Sequence, residues 1–442
     1  MKKFFFSLVP SVLCSMACMA TDVSGDITTN TTWTKANSPY IMTESVTVVS
    51  GVKLTIEPGT VVKSSGEFTL HVVGSLYAVG TLTDSIYFGY DKNNSLVNIW
   101  NGILIDAPST DTSIFRFCCF EDVDKGVYAR SSNIVISNSV FNKCNHGINV
   151  SNANSEINNC LFMNAGYGIF CNNGYSDIGD NVLHDNGWGI NASIGKVHGN
   201  LIYNNRYGIN NGDSVYGNVI AYNENGVTGY IVNFLHNQVW NNKIGMEYSY
   251  MPGIVEHNGF NYNDVGVICS TTSTDNFRYN CIENSTSYNF KNGTSNVNMS
   301  YNYWGETDSA RIGSKIYDNN DNHNIATGIV SIMPVLQSVD SGCADSVNVP
   351  GYGNPTSVIN LAKTTQLNVY PNPVSNSVTM QAPANDKIKT VAIYNQLGAQ
   401  VYSGNVNGNT TVIDMSSFAN GIYLYQVRMT DNNAITGKLL KQ

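Results

Sequence analysis

An asparagine recurs at intervals of 18 to 22 residues across positions 138–302. In each copy a large side chain follows two positions later, and in most copies a glycine with an aliphatic neighbour follows eight or nine positions later. The repeat asparagines are Asn138, Asn159, Asn181, Asn200, Asn218, Asn237, Asn258, Asn280 and Asn302. This period is too short for a helical hairpin, and the unit lacks the several leucines of a leucine-rich repeat. Asn, Gly, Val, Ile and Tyr also disfavour helices.

The repeat predicts an all-β solenoid in which each unit makes one backbone turn. Each short strand then pairs in parallel with the equivalent strand of the next turn, so equivalent side chains form columns along the axis. Asparagine and glycine suit the corners because both tolerate positive φ. We expect one interior column to contain Val140, Leu161, Leu183 and Ile202. The pattern resembles the right-handed parallel β-helix repeat of many secreted bacterial polysaccharide-active and surface proteins.

The first residues, 1–20, predict a secretory signal peptide. Two lysines precede an apolar run, and small residues lead to a cleavage site after Ala20. A lipid anchor at Cys18 is the alternative interpretation. No other segment has the roughly 18 apolar residues that a membrane helix needs, so no membrane span is expected in the mature chain.

Three further segments are predicted before the C-terminus. Residues 21–110 form an N-terminal cap and the first turns, and their I-x-P-G-T and G-S-L-x-A-x-G-T turns resemble those of exported β-helix proteins. Residues 111–336 form the β-helix itself, in which Trp304 fills the inward position of the last repeat and closes the core. Residues 337–366 lack periodicity and predict a linker.

Residues 367–442 predict a small C-terminal β-sandwich of about seven strands. Its motifs are Tyr370-Pro371-Asn372-Pro373, Tyr394-Asn395-Gln396-Leu397-Gly398, Gly421-Ile422-Tyr423 and Lys438-Leu439-Leu440-Lys441. These motifs resemble the C-terminal sorting domain of the type IX secretion system; a carbohydrate-binding sandwich is the alternative. The resemblance implies that the type IX machinery recognises this domain. It also implies export through the periplasm of a Gram-negative bacterium to the cell surface or the medium.

Charge and cysteine content narrow the choice of partner. Only 12% of residues are charged and the net charge is −9, so no basic patch favours a nucleic acid. The cysteines beyond the signal segment show no metal-site spacing. Cys118, Cys160 and Cys281 are expected to share one repeat position on turns that are not adjacent. Buried free thiols are therefore favoured over disulfides.

Acidic residues offer the best case for catalysis. Asp177, Asp180 and Asp185 fall within about one turn and predict an acidic cluster suited to acid–base chemistry or calcium, with His184, Lys196 and Arg206 nearby. Turn caps are the alternative. The charge alternates in sign from turn to turn along Arg206, Glu224, Lys243 and Asp264, which predicts a surface salt-bridge ladder. We expect His236 and His257 to stack on adjacent turns in a structural role. We predict no catalytic residue, no metal site and no required cofactor. Calcium is the one ion that the acidic cluster would suit.

Aromatic residues favour glycan binding more strongly. Tyr167, Trp188 and Tyr207 precede the repeat glycine in three successive turns, so their rings could stack on an extended glycan. A second run is expected to point outward. It comprises Phe141, Phe162, Tyr203 and Trp240, of which Tyr203 and Trp240 join the candidate glycan-binding residues.

Three functions are compatible with these features. The favoured one is a secreted or cell-surface β-helix protein that binds an extracellular polysaccharide or surface ligand, or acts in adhesion. The first alternative is a polysaccharide lyase or glycoside hydrolase, which requires acidic and basic side chains converging in one groove. The second alternative is a purely structural surface component.

Overall fold

The computed structural model describes most of the chain. The described residues are 20–92, 99–107, 112–250, 253–270, 276–293, 295–321, 328–340, 343, 349, 367–371, 374–382, 387–394, 400–419, 421–429 and 434–441. The predicted signal peptide and most of the predicted linker lie outside these residues. The chain forms two compact units, Met1–Pro355 and Thr356–Gln442.

The first unit is a parallel β-helix with three strands per turn, which confirms the predicted fold. The first sheet stacks Val61–Ser64, Ile86–Tyr90, Cys118–Glu121, Val140–Asn142, Leu161–Met163, Val182–His184, Leu201–Tyr203, Val219–Ala221, Gln238–Trp240, Gly259–Asn261 and Cys281–Glu283. The second sheet stacks Thr69–Val72, Trp100–Ile105, Val123–Arg130, His146–Ser151, Tyr167–Asn172, Trp188–Ala192, Ile244–Tyr250, Val265–Cys269, Tyr288–Asn292 and Ile316–Tyr317. The third sheet stacks Thr31–Trp33, Lys53–Ile56, Ser75–Val79, Ser113–Arg116, Ile134–Ser137, Ser155–Asn158, Ser176–Gly179, Gly195–His198, Val255–Glu256 and Phe277–Arg278.

Four longer strands contribute to two sheets each. Thr21–Ile27 and Tyr40–Val48 run through the first and second sheets, and Tyr207–Tyr216 and Asn225–Leu235 run through the second and third. The minor elements are a 3-10 helix, Lys35–Asn37, an α-helix, Ser309–Gly313, and the paired strands Val297–Asn298 and Val330–Ser331. Because strand Thr21–Ile27 already pairs with Tyr40–Val48, the coil starts at the beginning of the described chain.

The interior column of the first sheet differs from the prediction at two turns. Leu183 and Ile202 are fully buried in it, as expected, but Phe141 and Phe162 fill the places expected for Val140 and Leu161. Val140 and Leu161 point outward and are half-buried. Phe120, Phe141 and Phe162 stack with ring centroids 4.6 and 4.8 Å apart. The expectation that Phe141 and Phe162 face outward is therefore wrong.

The repeat asparagines explain this shift, because they occupy two different positions. Asn138 and Asn159 lie at a corner with φ of 52° and 56°. From Asn181 onward the repeat asparagine lies one residue later and is buried. There the side chains form a ladder: the Asn181 amide donates to the Oδ1 of Asn200 at 3.0 Å and to the carbonyl of Ile157 at 2.9 Å. The same pattern continues turn by turn to Asn302.

A second ladder runs parallel to the first. Its members lie five residues after the repeat asparagines from Asn181 to Asn258 and are Asn186, Asn205, Asn223, Asn242 and Asn263. The first four side-chain amides donate both to the next asparagine and to a backbone carbonyl of the preceding turn, as Asn205 does to Asn223 and Leu183. Asn263, the last member, donates to the carbonyl of Val239. Buried amides so placed satisfy polar groups that burial would otherwise penalise by a few kcal/mol each.

The repeat glycine is required for close approach between turns rather than for positive φ. A Cβ at Gly168 would lie 2.7 Å from the carbonyl oxygen of Gly189 and 3.0 Å from the Leu183 side chain. The equivalent glycines before and after it meet the next turn in the same way. A side chain there would push two rungs apart, so glycine holds the second sheet at its normal strand spacing.

The last turns of the first sheet are contacted on their outer side by a segment that we name the strap, residues 335–340 with Cys343 and Val349. His257 Nδ1 lies 2.8 Å from an Asp340 carboxylate oxygen, and Cys343 forms a disulfide with Cys281. Val349 packs with Trp240. The strap uses part of the segment that was predicted as a linker.

The cysteines agree with the prediction in part. Cys118, Cys144, Cys160, Cys171 and Cys269 are buried thiols, and burial raises the pKa of Cys160 to about 12. Cys281, however, is bonded to Cys343. It also lies one position later than Cys118 and Cys160, in the outward column that contains Leu161. The expectation that these three cysteines share one column is wrong for Cys281.

The second unit is a small antiparallel β-sandwich, as predicted. One sheet contains Asn368–Tyr370, Ser377–Gln381 and Thr410–Asp414, and the other contains Gln400–Gly408, Ile388–Tyr394, Gly421–Met429 and Ala434–Lys441. Val378, Ile393 and Val427 belong to the core between them. The motif residues 372–373 and 395–398 lie outside the described part of this unit.

Candidate functional site

A column of aromatic side chains crosses the outer face of the second sheet. His146, Tyr167, Trp188 and Tyr207 occupy equivalent positions on four successive turns. Each of these four side chains is half-buried, and the two residues that follow it in its strand are buried. We name these four residues the ring column. Tyr167, Trp188 and Tyr207 were predicted together from the sequence, and the structure places them together.

The rings stack on one another. Centroids lie 4.9 Å apart for His146 and Tyr167, 5.8 Å for Tyr167 and Trp188, and 3.9 Å for Trp188 and Tyr207, with planes within 14° of parallel. The Arg206 guanidinium lies 5.4 Å from the Tyr207 centroid. Because the faces cover each other, the column presents ring edges outward. The tyrosine hydroxyls and the indole N–H have no hydrogen-bond partner within the described chain.

A second outward column lies beside the first and combines amides with rings. It contains Tyr128, Asn149, Phe170, Asn191 and Asn210. Phe170 packs edge-on against Tyr167 with centroids 5.8 Å apart. The Oδ1 of Asn210 accepts a hydrogen bond from the Thr228 hydroxyl at 3.1 Å. The face thus alternates apolar edges with hydrogen-bonding groups.

A cleft of about 250 Å³ adjoins the N-terminal end of the ring column. Lys125, which precedes His146 in the same column, lines it together with Asp124 and Tyr128. Lys125 Nζ lies 2.9 Å from an Asp124 oxygen. Burial acts to raise the pKa of Asp124, but hydrogen bonds from Lys125 and Asn145 outweigh burial and keep the pKa below its usual value. Asp124 is therefore a charged acceptor at neutral pH.

His146 joins the cleft to the rings, and it was not predicted from the sequence. Burial lowers the pKa of His146 more than the neighbouring Asp124 raises it. Its imidazole is therefore neutral at neutral pH, and its buried Nδ1 has no hydrogen-bond partner within the described residues. The available signal was its position: His146 directly precedes Gly147, as Tyr167 precedes Gly168.

The other two aromatic candidates lie elsewhere. Tyr203 and Trp240 share an outward column of the first sheet, so they are separated from the ring column. Tyr203 stacks on His184 at 5.0 Å. Trp240 is only 1% exposed because Val349 of the strap covers it. The expectation that Trp240 forms part of an exposed stripe is wrong.

The predicted acidic cluster does not assemble. Asp177 lies on the third sheet, where His198 Nε2 is 2.8 Å from its carboxylate. Asp180 lies at the corner before the first sheet, and Asp185 at the corner after it, with φ of 55° and 57°. Their positions agree with the alternative of turn residues. Catalysis that requires these three carboxylates in one groove is not supported.

The other predicted ladders form in part. Arg206 and Glu224 lie 3.6 Å apart on successive turns, and Lys243 and Asp264 continue the same column. His236 and His257 stack at 5.0 Å, and Tyr279 extends that stack. Within the described residues, no group of three or more His, Cys, Asp or Glu side chains is placed to hold a metal ion.

Comparison with known families identifies two parts of the chain. Residues 368–442 match the secretion system C-terminal sorting domain. Residues 40–230 match the family described as periplasmic copper-binding protein (NosD). No curated protein matches the chain.

Two solved structures resemble the coil. One is a variant of the periplasmic alginate epimerase AlgG, with 15% identity and a TM-score of 0.30, covering 69% of this chain and 76% of that one. The other is the A-module of the Azotobacter vinelandii mannuronan C-5 epimerase AlgE6, with 12% identity and a TM-score of 0.34, covering 72% and 90%.

The matched sorting domain settles the route of this protein. The chain is a parallel β-helix with a type IX sorting domain, and it travels through the periplasm to the cell surface. In the described part of the chain, no helix is long and apolar enough to cross a membrane.

Proposed function

We propose that this exported β-helix protein binds an extended polysaccharide along the outer face of its second sheet. The observation that carries the proposal is the ring column, which runs across four turns in line with the adjoining cleft. Tyr167, Trp188 and Tyr207 are the proposed contact residues. Tyr203 and Trp240 are not, because they lie on the first sheet.

The geometry favours contact with ring edges rather than with ring faces. Turns are about 4.8 Å apart, so a glycan lying along the axis meets a new ring at each turn. The Tyr167 and Tyr207 hydroxyls and the Trp188 indole N–H can then bond sugar hydroxyls, while ring C–H edges pack against sugar carbons. The Asn149 and Asn191 column supplies further amides on the same side.

The proposed ligand is neutral. The outward column beside the rings contains amide and aromatic side chains, and the nearby cations Lys125 and Arg206 are already paired with Asp124 and Glu224. A binding role is favoured over a lyase or hydrolase because Asp177, Asp180 and Asp185 are dispersed around the coil. An adhesive role follows if the polysaccharide belongs to another cell surface.

The test is retention of the purified protein on arrays of neutral polysaccharides, followed by affinity electrophoresis. Trp188→Ala removes the middle ring and should weaken binding at least tenfold. The double variant Tyr167→Phe, Tyr207→Phe keeps the stack but removes both hydroxyls, and should weaken binding about tenfold, or about 1.4 kcal/mol.

The matched control is Tyr77→Ala, which removes a partly exposed tyrosine from the third sheet. Its affinity should equal that of the wild type. Binding that survives Trp188→Ala would refute the proposed face. Absence of retention on every polysaccharide would favour a purely structural role.

A further inference from the structure

A second cleft, of about 270 Å³, lies on the outer face of the third sheet. Glu156 and Asp177 line it from adjacent strands, and Asn154 and Tyr175 line it from the neighbouring corner. This cleft is on a different sheet from the ring column. Of its residues, only Asp177 was singled out from the sequence.

Tyr175 is one of the more exposed rings of the coil. Rings such as Tyr167, Trp188 and Tyr203 stack on a ring of a neighbouring turn. Tyr175 is 46% exposed and stacks on no ring within the described chain. The equivalent residue on the preceding turn is Asn154, whose Oδ1 accepts a hydrogen bond from the Tyr175 backbone N–H at 3.1 Å. A cleft therefore lies where the neighbouring turn would otherwise place a second ring.

The two carboxylates make this cleft acidic, and Lys196, opposite Asp177 on the next turn, offsets part of their charge. Glu156 and Asp177 are directly opposite each other on adjacent parallel strands, an arrangement of like charges that destabilises a sheet. His198 lies against Asp177 on its far side, 2.8 Å away. Glu156 is exposed and has no ion-pair or hydrogen-bond partner within the described residues. The pair thus presents several acceptor oxygens to whatever enters the cleft.

We propose that this cleft is a binding site for one neutral pyranose unit. The sugar would pack its C–H face against the Tyr175 ring, and neighbouring hydroxyls would donate to Glu156 and Asp177. Hydrogen bonds to carboxylates are stronger than those between neutral groups, which suits an open site. The inference goes beyond the proposed polysaccharide face because it assigns a separate site on another sheet.

Other ligand classes fit the cleft less well. A uronic acid would bring its own carboxylate against two others at short range, where like charges repel. A metal ion would find two carboxylates here, because no group of three or more ligating side chains occurs in the described chain. A neutral sugar supplies hydroxyl donors to Glu156 and to the remaining acceptor sites of Asp177. Its apolar face can also stack on the exposed Tyr175 ring.

The test is saturation-transfer NMR of the purified protein with the methyl glycosides of glucose, galactose, mannose and N-acetylglucosamine. At least one glycoside should give a transfer signal that Tyr175→Ala abolishes. Glu156→Gln should weaken that binding about tenfold, because a charged acceptor becomes neutral. Both side chains are exposed, so the urea midpoint of each variant should match the wild type.

The matched control is Ile194→Ala, which changes the equivalent corner residue one turn later, also 46% exposed. It should leave the signal intact. Absence of a signal with every glycoside, or an unchanged signal in Tyr175→Ala, would overturn the proposal. A calcium titration that saturates at Glu156 and Asp177 would overturn it in favour of a cation site.

Discussion

Asparagine performs two separate tasks in each turn of this coil. At the corners it adopts positive φ, as Asn138 and Asn164 do. In the ladders it is buried, and its amide joins three successive turns, as the hydrogen bonds of Asn218 to Val197, Asn200 and Asn237 show. Few other side chains can fill both positions, since most lack either the donor and acceptor pair or the tolerance for positive φ.

Replacing one ladder member should therefore be costly. Asn218→Ala removes the acceptor for the Asn200 backbone N–H and the donor for the Val197 carbonyl, and both groups stay buried. We expect the free energy of unfolding to fall by about 2–4 kcal/mol. Urea unfolding followed by circular dichroism measures the loss.

Asn158→Ala is the control for this change. Asn158 points outward from the third sheet and is half-buried. Its replacement should alter stability by less than about 0.5 kcal/mol. Equal urea midpoints for the two variants would show that the ladder amides do not stabilise the coil.

The residue scale also shows where prediction from the sequence fails. The period and the parallel coil could be predicted, but the burial of the asparagines from Asn181 onward and the register of Asn138 and Asn159 could not. Both positions accept asparagine, and Ser139 and Cys160 fill the ladder position in those two turns. A shift of one residue exchanges inward and outward side chains. For that reason Val140 and Phe141 were assigned to the wrong faces.

At the scale of elements, the strap decides which part of the first sheet is exposed. It reaches Trp240 through Val349, His257 through Asp340 and Cys281 through Cys343. Nothing in the repeat indicates these contacts, because the strap lies outside the periodic segment. The sequence could place Trp240 on the outside of the coil but could not show that a later segment covers it.

Loss of the disulfide should loosen this end of the coil. The bond closes a loop of 62 residues, and Cys343→Ser should lower the unfolding free energy by roughly 2–4 kcal/mol. A reductant should lower the urea midpoint of the wild type to that of the variant. Cys119→Ser, which changes a partly buried free thiol, should leave the midpoint unchanged. A wild-type midpoint that does not respond to the reductant would contradict the prediction.

The ring column illustrates the same limit at the level of the site. The spacing of Tyr167, Trp188 and Tyr207 predicted their alignment correctly. It could not show that parallel rings on successive turns cover one another's faces, because side-chain rotation is not set by the period. Likewise, Glu156 carries no periodic signal and becomes noticeable only when the third sheet places it opposite Asp177.

At the scale of the whole molecule, export and binding belong to different units. Residues 368–442 match a sorting domain, whereas both proposed sugar sites lie in the coil. Deleting residues 368–442 should leave a folded coil in the periplasm, and the full chain should reach the cell surface or the medium. Cell fractionation with an antibody against the coil measures this difference.

The full-length Asn158→Ala variant serves as the control for export. It changes the coil but keeps the sorting domain, so it should leave the cell as the wild type does. A truncated chain that appears outside the cell in normal amounts would refute the role of residues 368–442.

The asparagine ladders allow the number of turns to change in evolution. Each rung bonds only to its immediate neighbours, and its side-chain partner within the ladder is another asparagine, as between Asn200 and Asn218, 18 residues apart. Excising the segment from Asn200 to Gly217 would bring Asn181 beside Asn218 and restore the same bond. Unequal crossing-over between copies of the repeat can therefore add or remove whole turns. The length of the coil can then vary among related proteins, while the cross-section of each turn stays the same.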